Sequence, residues 1–149
     1  MIRPLFTLLG LACLGLAACD EPDAGAQVGA VQAAPTMTVT VIAAGRPFEG
    51  QAPRIMLVAD GTNVGEIDVD ADRAAGAWGR YAFTITGLRP QTLSVRYLND
   101  AGERDLWIRK VVLDDAEMTA EQATYLRDGR EPMPGRTRMS WAGELRFAR

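Results

Sequence analysis

Short segments in which apolar and polar side chains alternate constrain the fold of this chain more than any other feature. In residues 80–86, Tyr81, Phe83 and Ile85 alternate with Arg80, Ala82, Thr84 and Thr86. Successive side chains of a strand point to opposite faces of a sheet, so a period of two predicts a half-buried strand. Similar segments, bounded by Gly, Pro, Asn or Asp, predict strands at 37–42, 54–59, 64–69, 80–86, 92–98, 106–113 and 139–147.

About seven short strands with turn signals between them predict an all-β fold, an antiparallel β-sandwich. Residues 43–53 are rich in Gly and Pro, residues 70–79 are polar and rich in Gly and Ala, and both segments are predicted to be loops. Residues 114–122 contain helix-forming residues but few apolar ones, and we expect at most one short helix there. No repeat of 20–50 residues indicates a solenoid or a propeller.

The first 18 residues are interpreted as a targeting segment and not as part of the fold. Arg3 precedes an apolar run, Leu5–Leu16, that is short for a membrane span. The run ends in Leu16-Ala17-Ala18-Cys19, which resembles the lipobox of bacterial lipoproteins. An ordinary secretory cleavage site prefers a small residue where Leu16 stands. The resemblance implies lipidation of Cys19 and a lipid-anchored protein of the bacterial cell envelope, at the inner or the outer membrane.

Three regions follow from this interpretation: a lipoprotein signal peptide at 1–18, a flexible tether at 19–36, and a β-sandwich domain at 37–149. The tether is rich in Ala, Gly, Gln and Pro and offers little to a hydrophobic core. Cleavage before Cys19 would remove Cys13, the other cysteine, so no internal disulfide is expected.

Composition excludes several classes of function. The chain has no histidine, which rules out His-based catalytic triads and His-ligated zinc. The net charge of −3 gives no electrostatic basis for binding nucleic acid.

An acidic loop between two predicted strands is the main candidate site. Asp100, Glu103 and Asp105 lie within six residues. Clustered carboxylates repel one another unless a positive charge offsets them. Calcium, which takes several oxygen ligands, is one such charge. The alternatives are a solvated acidic turn and a cluster that Arg104 already neutralises, which would leave no vacancy for a cation.

Three blocks of sequence resemble the calcium-dependent xylan-binding carbohydrate-binding modules of families 36 and 60, which are jelly-roll β-sandwiches. The first block runs from Ala44 to Arg54 and on to Val64-Gly65, the second comprises residues 81–84 and 95–100, and the third is Arg104-Asp105-Leu106-Trp107-Ile108. Together they cover most of the chain from Thr38 onward.

The resemblance implies a calcium ion held by two acidic side chains and backbone carbonyls, with sugar hydroxyls as further ligands. The matching acids are Asp100 and Glu103, while Asp105 takes a position that is asparagine in the family. Phe48 and Glu49 mark the loop that would supply carbonyls, and Glu49 is included among the predicted metal ligands. The family usually has a longer Gly-rich insertion where only Ala101 and Gly102 stand here.

Trp107 and Asn99 are the predicted carbohydrate-binding residues, with Trp78 as a second candidate for stacking on a sugar ring. Trp141 is predicted to belong to the core, because large aromatic side chains are highly buried on average.

These observations predict a membrane-tethered, non-catalytic, calcium-dependent module that binds a xylan-like glycan. The alternative is a structural or adaptor lipoprotein with a degenerate sugar site that binds a protein partner, which the shortened loop favours. A glycosidase using Asp100 and Asp105 would need a cleft between two carboxyl groups, and the short loop offers little room for one.

Overall fold

A computed structural model describes residues 33–127 and 132–148; the side chain of Ala148 is not included. The predicted signal peptide, Cys19 and most of the tether lie outside these residues. Eleven strands and one short 3-10 helix, Ala120–Gln122, are present in the described ranges. The strands are β1 (Thr36–Arg46), β2 (Arg54–Ala59), β3 (Thr62–Asp68), β4 (Gly79–Thr86), β5 (Thr92–Tyr97), β6 (Asp105–Leu113), β7 (Ala116–Thr119), β8 (Thr124–Leu126), β9 (Met133–Pro134), β10 (Arg138–Met139) and β11 (Gly143–Ala148).

The strands form two antiparallel sheets, so the predicted β-sandwich is confirmed. One sheet has the order β10-β6-β1-β4, with β7 also paired to β6, and the other has the order β3-β2-β5-β11-β8-β9. Their inner faces share one hydrophobic core that contains Val39 and Val41 from the first sheet and Leu57, Val95 and Tyr97 from the second. Within the part of the chain that the structure describes, no helix is long and apolar enough to cross a membrane.

Strand β1 is longer than predicted, because residues 43–46 pair with β6 and are not part of a loop. Ala43 and Ala44 are fully buried and lie opposite Ile108 and Trp107. At Gly45 an added Cβ would lie 2.7 Å from the ring of Pro53, so the close approach requires glycine. Gly45 and Pro53, part of the Gly and Pro content that indicated a loop, are here in close contact.

The segment 114–122 is mostly strand, and the expected helix is reduced to three residues. Asp114 adopts a positive φ of 52°, which reverses the chain after β6, and β7 then pairs with β6 as a hairpin. The predicted last strand is also divided, because residues 140–142 separate β10 on one sheet from β11 on the other. For both segments, pairing with a neighbouring strand and not the local sequence determines which residues are strand.

Candidate functional site

Two loops meet at the end of the sandwich where β1 and β5 end and β2 and β6 begin. Residues 47–53 form the first loop and residues 98–104 the second; both are called the site loops below. The first is a tight reversal in which the backbones of Phe48 and Gln51 exchange hydrogen bonds of 3.1 and 3.0 Å. Glu49 and Gly50 at its tip have φ values of 51° and 74°.

The side chain of Arg104 joins the two loops. It is only 3% exposed, and its guanidinium donates to the backbone carbonyls of Phe48 (3.0 Å), Gln51 (3.1 Å) and Asn99. A fourth hydrogen bond of 3.2 Å reaches the side-chain oxygen of Gln51. The fork of guanidinium donors suits several carbonyls at once, so Arg104 sets the spacing of the site loops.

Asn99 also fixes the loops, by means of both ends of its amide. The side-chain oxygen accepts a hydrogen bond of 2.6 Å from the backbone N–H of Arg54, and the side-chain nitrogen donates one of 2.9 Å to the carbonyl of Ala52. Asn99 was predicted to bind carbohydrate. In the structure its amide is engaged with the protein backbone.

A close contact between Gly102 and Phe48 also links the two site loops. Gly102 has a φ of 53°, and a Cβ on it would lie 2.5 Å from Cζ of Phe48. Only glycine allows the phenyl ring to lie this close to the second loop.

Two of the predicted metal ligands are held in ion pairs. Asp105 is buried and accepts a hydrogen bond of 2.7 Å from Nη2 of Arg138. Glu103 lies 2.6 Å from Nη2 of Arg46, and both of these side chains are more than half exposed. Glu49 is exposed at the tip of the first loop.

Asp100 differs from the two paired acids, Glu103 and Asp105. It is half-buried, and none of the described residues gives its carboxylate a hydrogen bond or an ion pair. Its charge acts on the phenol of Tyr97: burial raises the pKa of Tyr97, and the negative charge of Asp100 raises that pKa further. The Tyr97 hydroxyl donates a 2.9 Å hydrogen bond to the carbonyl of Arg104, so Asp100 lies near the residue that joins the two site loops.

The site loops fit a calcium ion only with fewer than three carboxylates. Among the described residues, no three acidic, cysteine or histidine side chains converge on one point. Asp100, Glu103 and the exposed Glu49 are the acids that remain, since Asp105 is buried against Arg138. Calcium accepts backbone carbonyls and waters in place of further carboxylates. By chemical type these oxygen donors suit calcium, and Glu103 would be available because its exposed ion pair with Arg46 is of the kind that contributes little to stability.

A polar depression of about 590 Å³ opens beside the loops. It is lined by Gly50, Gln51, Ala52, Arg54, Asp68 and Asn99. Arg54 and Asp68 form a two-pronged ion pair in its wall, with hydrogen bonds of 2.7 and 3.0 Å. Its peptide and amide groups are hydrogen-bonding partners of the kind that sugar hydroxyls require.

The tryptophans lie away from this depression. Trp107 is half-buried on β6, with the guanidinium of Arg138 5.3 Å from its ring centroid. Trp78 lies in the loop before β4, with the guanidinium groups of Arg73 and Arg109 at 5.3 and 5.9 Å from its ring centroid. Trp141 is half-buried and packs against the core, as predicted.

Sequence reasoning missed Gln51, Arg54 and Asp68, because they come from segments distant in sequence from the acidic loop. It considered Arg104 only as a charge that offsets carboxylates. A basic residue inside an acidic loop was the available signal, but its carbonyl partners become apparent only when the two loops meet.

The fold defines the class: a β-sandwich module with two cross-linked loops at one end. The family model described as a Ca-dependent, xylan-binding carbohydrate-binding module, CBM60, matches residues 38–127. The chain belongs to this family of carbohydrate-binding modules.

Solved structures agree with this assignment at the level of the fold. A vCBM60 structure in complex with galactobiose is 22% identical, with a TM-score of 0.60, and the match covers 74% of this chain and 97% of that one. A selenomethionine form of vCBM60 is 18% identical, with a TM-score of 0.57 and coverage of 75% and 90%. No curated protein matches the chain.

Proposed function

We propose that this protein binds a neutral polysaccharide, xylan in the first instance, by means of a calcium ion held in the site loops. The observation that carries the proposal is the carboxylate of Asp100, half-buried and without a described partner, next to a polar depression. The family description, Ca-dependent and xylan-binding, supports the choice of cation and of glycan.

In this proposal Asp100 is the permanent ligand and Glu103 the exchangeable one. Glu103 would hold the ion after leaving Arg46, and backbone carbonyls and waters would supply the remaining oxygens. When bound, the ion supplies open coordination positions for vicinal sugar hydroxyls. Arg104 holds the loops at a fixed spacing, so that little ordering is required when the ligand binds.

The proposed activity is binding without catalysis. A glycosidase needs two carboxyl groups that flank a cleft. Asp105, one member of the pair considered from the sequence, is buried against Arg138. Its carboxylate is therefore poorly placed to act on a sugar.

The experiment is affinity electrophoresis of the full-length protein in gels containing galactan or a neutral xylan without uronic acid side groups, with calcium or with EDTA. We expect xylan to retard the protein only with calcium, and Asp100→Asn to abolish the retardation. Asp115→Asn, which removes an exposed carboxylate from the turn between β6 and β7, serves as the matched control and should behave as wild type. Retardation that persists in EDTA, or in Asp100→Asn, would contradict the proposal.

A calcium titration of the melting temperature tests the cation separately. If calcium binds only the folded state, a hundredfold excess over Kd stabilises by about 2.7 kcal/mol. For a domain of this size that is a shift of several degrees. Magnesium should give a smaller shift, because it requires a tight octahedron and loses water reluctantly.

A second function has an observation in its favour. Glu103 and Asp105 are already paired with arginines, and three loop carbonyls already accept from Arg104. These contacts favour an adaptor lipoprotein whose loops bind a protein partner without calcium. A melting temperature that does not respond to calcium, together with no retardation by either glycan, would support this alternative.

The proposal includes attachment to a membrane of the bacterial envelope through a lipidated Cys19. Support comes from the sequence Leu16-Ala17-Ala18-Cys19 alone. Labelled palmitate should be incorporated into the protein in a bacterial host. Cys19→Ala should remove the label, whereas Cys13→Ala, the matched control, should retain it.

A further inference from the structure

A second polar and aromatic depression lies on the outer face of the first sheet, away from the site loops. Leu106 and Ile108 are fully buried, so the intervening Trp107 and the following Arg109 face outward. The depression has a volume of about 380 Å³. Its side chains, called the outer groove below, are Arg73, Trp78, Trp107, Arg109, Glu121 and Thr137.

A β-bulge positions Arg109 in this groove. The pairing of β1 with β6 passes from Ile42–Lys110 directly to Ala43–Ile108, which leaves Arg109 as the extra residue. Bulges re-aim side chains and are common beside binding sites. Here the bulge brings the guanidinium of Arg109 to 5.9 Å from the ring centroid of Trp78.

The groove carries more positive than negative charge among the described residues. Arg73 lies 5.3 Å from the same ring centroid, and neither Arg73 nor Arg109 forms an ion pair with a described carboxylate. Two arginines and one glutamate give the groove an excess of positive charge, although the whole chain carries −3. Arginine is the residue best suited to bind a carboxylate through two parallel hydrogen bonds.

Both guanidinium groups lie within about 6 Å of the ring centroid, the range of cation–π attraction. A contact of this kind does not use the N–H groups, which remain available for hydrogen bonds in the guanidinium plane. Arg73 and Arg109 can therefore bind a carboxylate while Trp78 supports them. The half-buried Trp107 adds an apolar surface on which a sugar ring can pack.

We propose that the outer groove binds the carboxylate of a uronic acid carried by a glycan, and that this binding does not require calcium. The choice of a glycan rests on the proposed carbohydrate binding of the module, and the choice of a carboxylate rests on the unpaired arginines. The groove would direct the module toward acidic, uronic acid-substituted polysaccharide, while the site loops bind the neutral backbone.

The test is isothermal titration calorimetry of the full-length protein in EDTA, which keeps the proposed site free of calcium. The probes are aldotetraouronic acid, in which xylotriose carries one glucuronic acid, and the neutral xylotetraose. We expect the acidic probe to bind at least tenfold more tightly. This preference should decrease at high salt, because screening weakens the contact between exposed charges.

Substitutions locate the binding. Arg109→Ala and Arg73→Ala should each weaken binding of the acidic probe by about tenfold, and both side chains are exposed, so the fold should survive. Arg96→Ala removes an exposed arginine from the opposite sheet and should have no effect. Arg109→Lys, which keeps the charge but loses the two parallel hydrogen bonds, should restore only part of the affinity.

Equal affinity for the two probes in EDTA, or no binding of either, would overturn the proposal. Binding of a tetraglutamate peptide as tight as that of the acidic sugar would overturn the assignment to a glycan. Failure of calcium-dependent xylan binding is a separate result, since it is read with a neutral glycan in calcium.

Discussion

Nη2 of Arg104 donates a hydrogen bond of 3.0 Å to the backbone carbonyl of Phe48, which lies 56 residues earlier in the chain. The same guanidinium reaches the carbonyls of Gln51 and Asn99. One buried side chain therefore fixes two loops of the site.

Arg104→Ala should destabilise the fold by at least about 3 kcal/mol, since hydrogen bonds of charged groups each contribute roughly 1.5–3 kcal/mol. Several buried carbonyls would lose their donor. Chemical denaturation monitored by tryptophan fluorescence gives the free energy of unfolding. Arg96→Ala breaks one ion pair of Glu144, which keeps Arg146 as a second cation, and should cost less than about 1 kcal/mol. If the two variants lost equal stability, the hydrogen bonds of Arg104 would not be what holds the two site loops together.

Removing Arg138 should cost more stability than removing its partner Asp105. Arg138→Ala leaves the carboxylate of Asp105, whose side chain is 5% exposed, without its described cation, at a cost of about 2 kcal/mol. Asp105→Ala leaves a guanidinium side chain that is 51% exposed and can bind water instead. Denaturant titrations of both variants measure the difference. The reverse order of stabilities would show that the carboxylate is better hydrated than the structure indicates.

Gly102→Ala should destabilise the protein more than Gly61→Ala. Both glycines have positive φ, 53° and 81°, and alanine in this region costs about 1–2 kcal/mol. Only at Gly102 does the added Cβ meet another residue, the ring of Phe48. Melting temperatures of the two variants separate steric contact from backbone strain. Equal losses would mean that the Phe48 ring moves aside freely.

Asp60 should contribute stability that is lost in acid. Backbone hydrogen bonds from Thr92 and Gln91 hold the pKa of Asp60 below its ordinary value of 3.8. The unfolded state therefore takes up the proton first, so the contribution is complete above pH 3.8 and declines as the pH falls through the lower folded pKa.

Asp60→Asn isolates this contribution. Asparagine tolerates the φ of 46° at this position but has no charge to titrate. The difference in melting temperature between wild type and Asp60→Asn should therefore be largest near neutral pH and shrink below pH 3.8. A difference that stays constant down to pH 2.5 would contradict this assignment.

Local pattern determined most of the fold. The alternation in residues 80–86 and 92–98 predicted β4 and β5 and the inward side of Tyr81, Phe83, Leu93, Val95 and Tyr97, all of which are buried. Alternation is sufficient there because one face of each strand packs on a common core, and the period of two belongs to the backbone itself.

The sequence also located the acidic loop and predicted the family of the module. It could not assign roles to the acids within that loop. Glu103 and Asp105 meet Arg46 and Arg138, which lie 57 and 33 residues away, and only Asp100 remains without a described partner. Long-range pairing of charges leaves no periodic signal, because any exposed arginine can approach any loop that the fold brings near.

Tertiary structure alone decided the elements that depend on a neighbour. Ala43 and Ala44 are strand residues because β6 lies beside them, and residues 116–119 form a strand because the edge of β6 is free to pair. The same holds for the outer groove, where a bulge on β6 and a loop before β4 bring Arg109 and Arg73 to one tryptophan. Local sequence specifies which face of a strand is apolar, whereas the partner across each hydrogen bond and each ion pair is specified only when the whole chain packs.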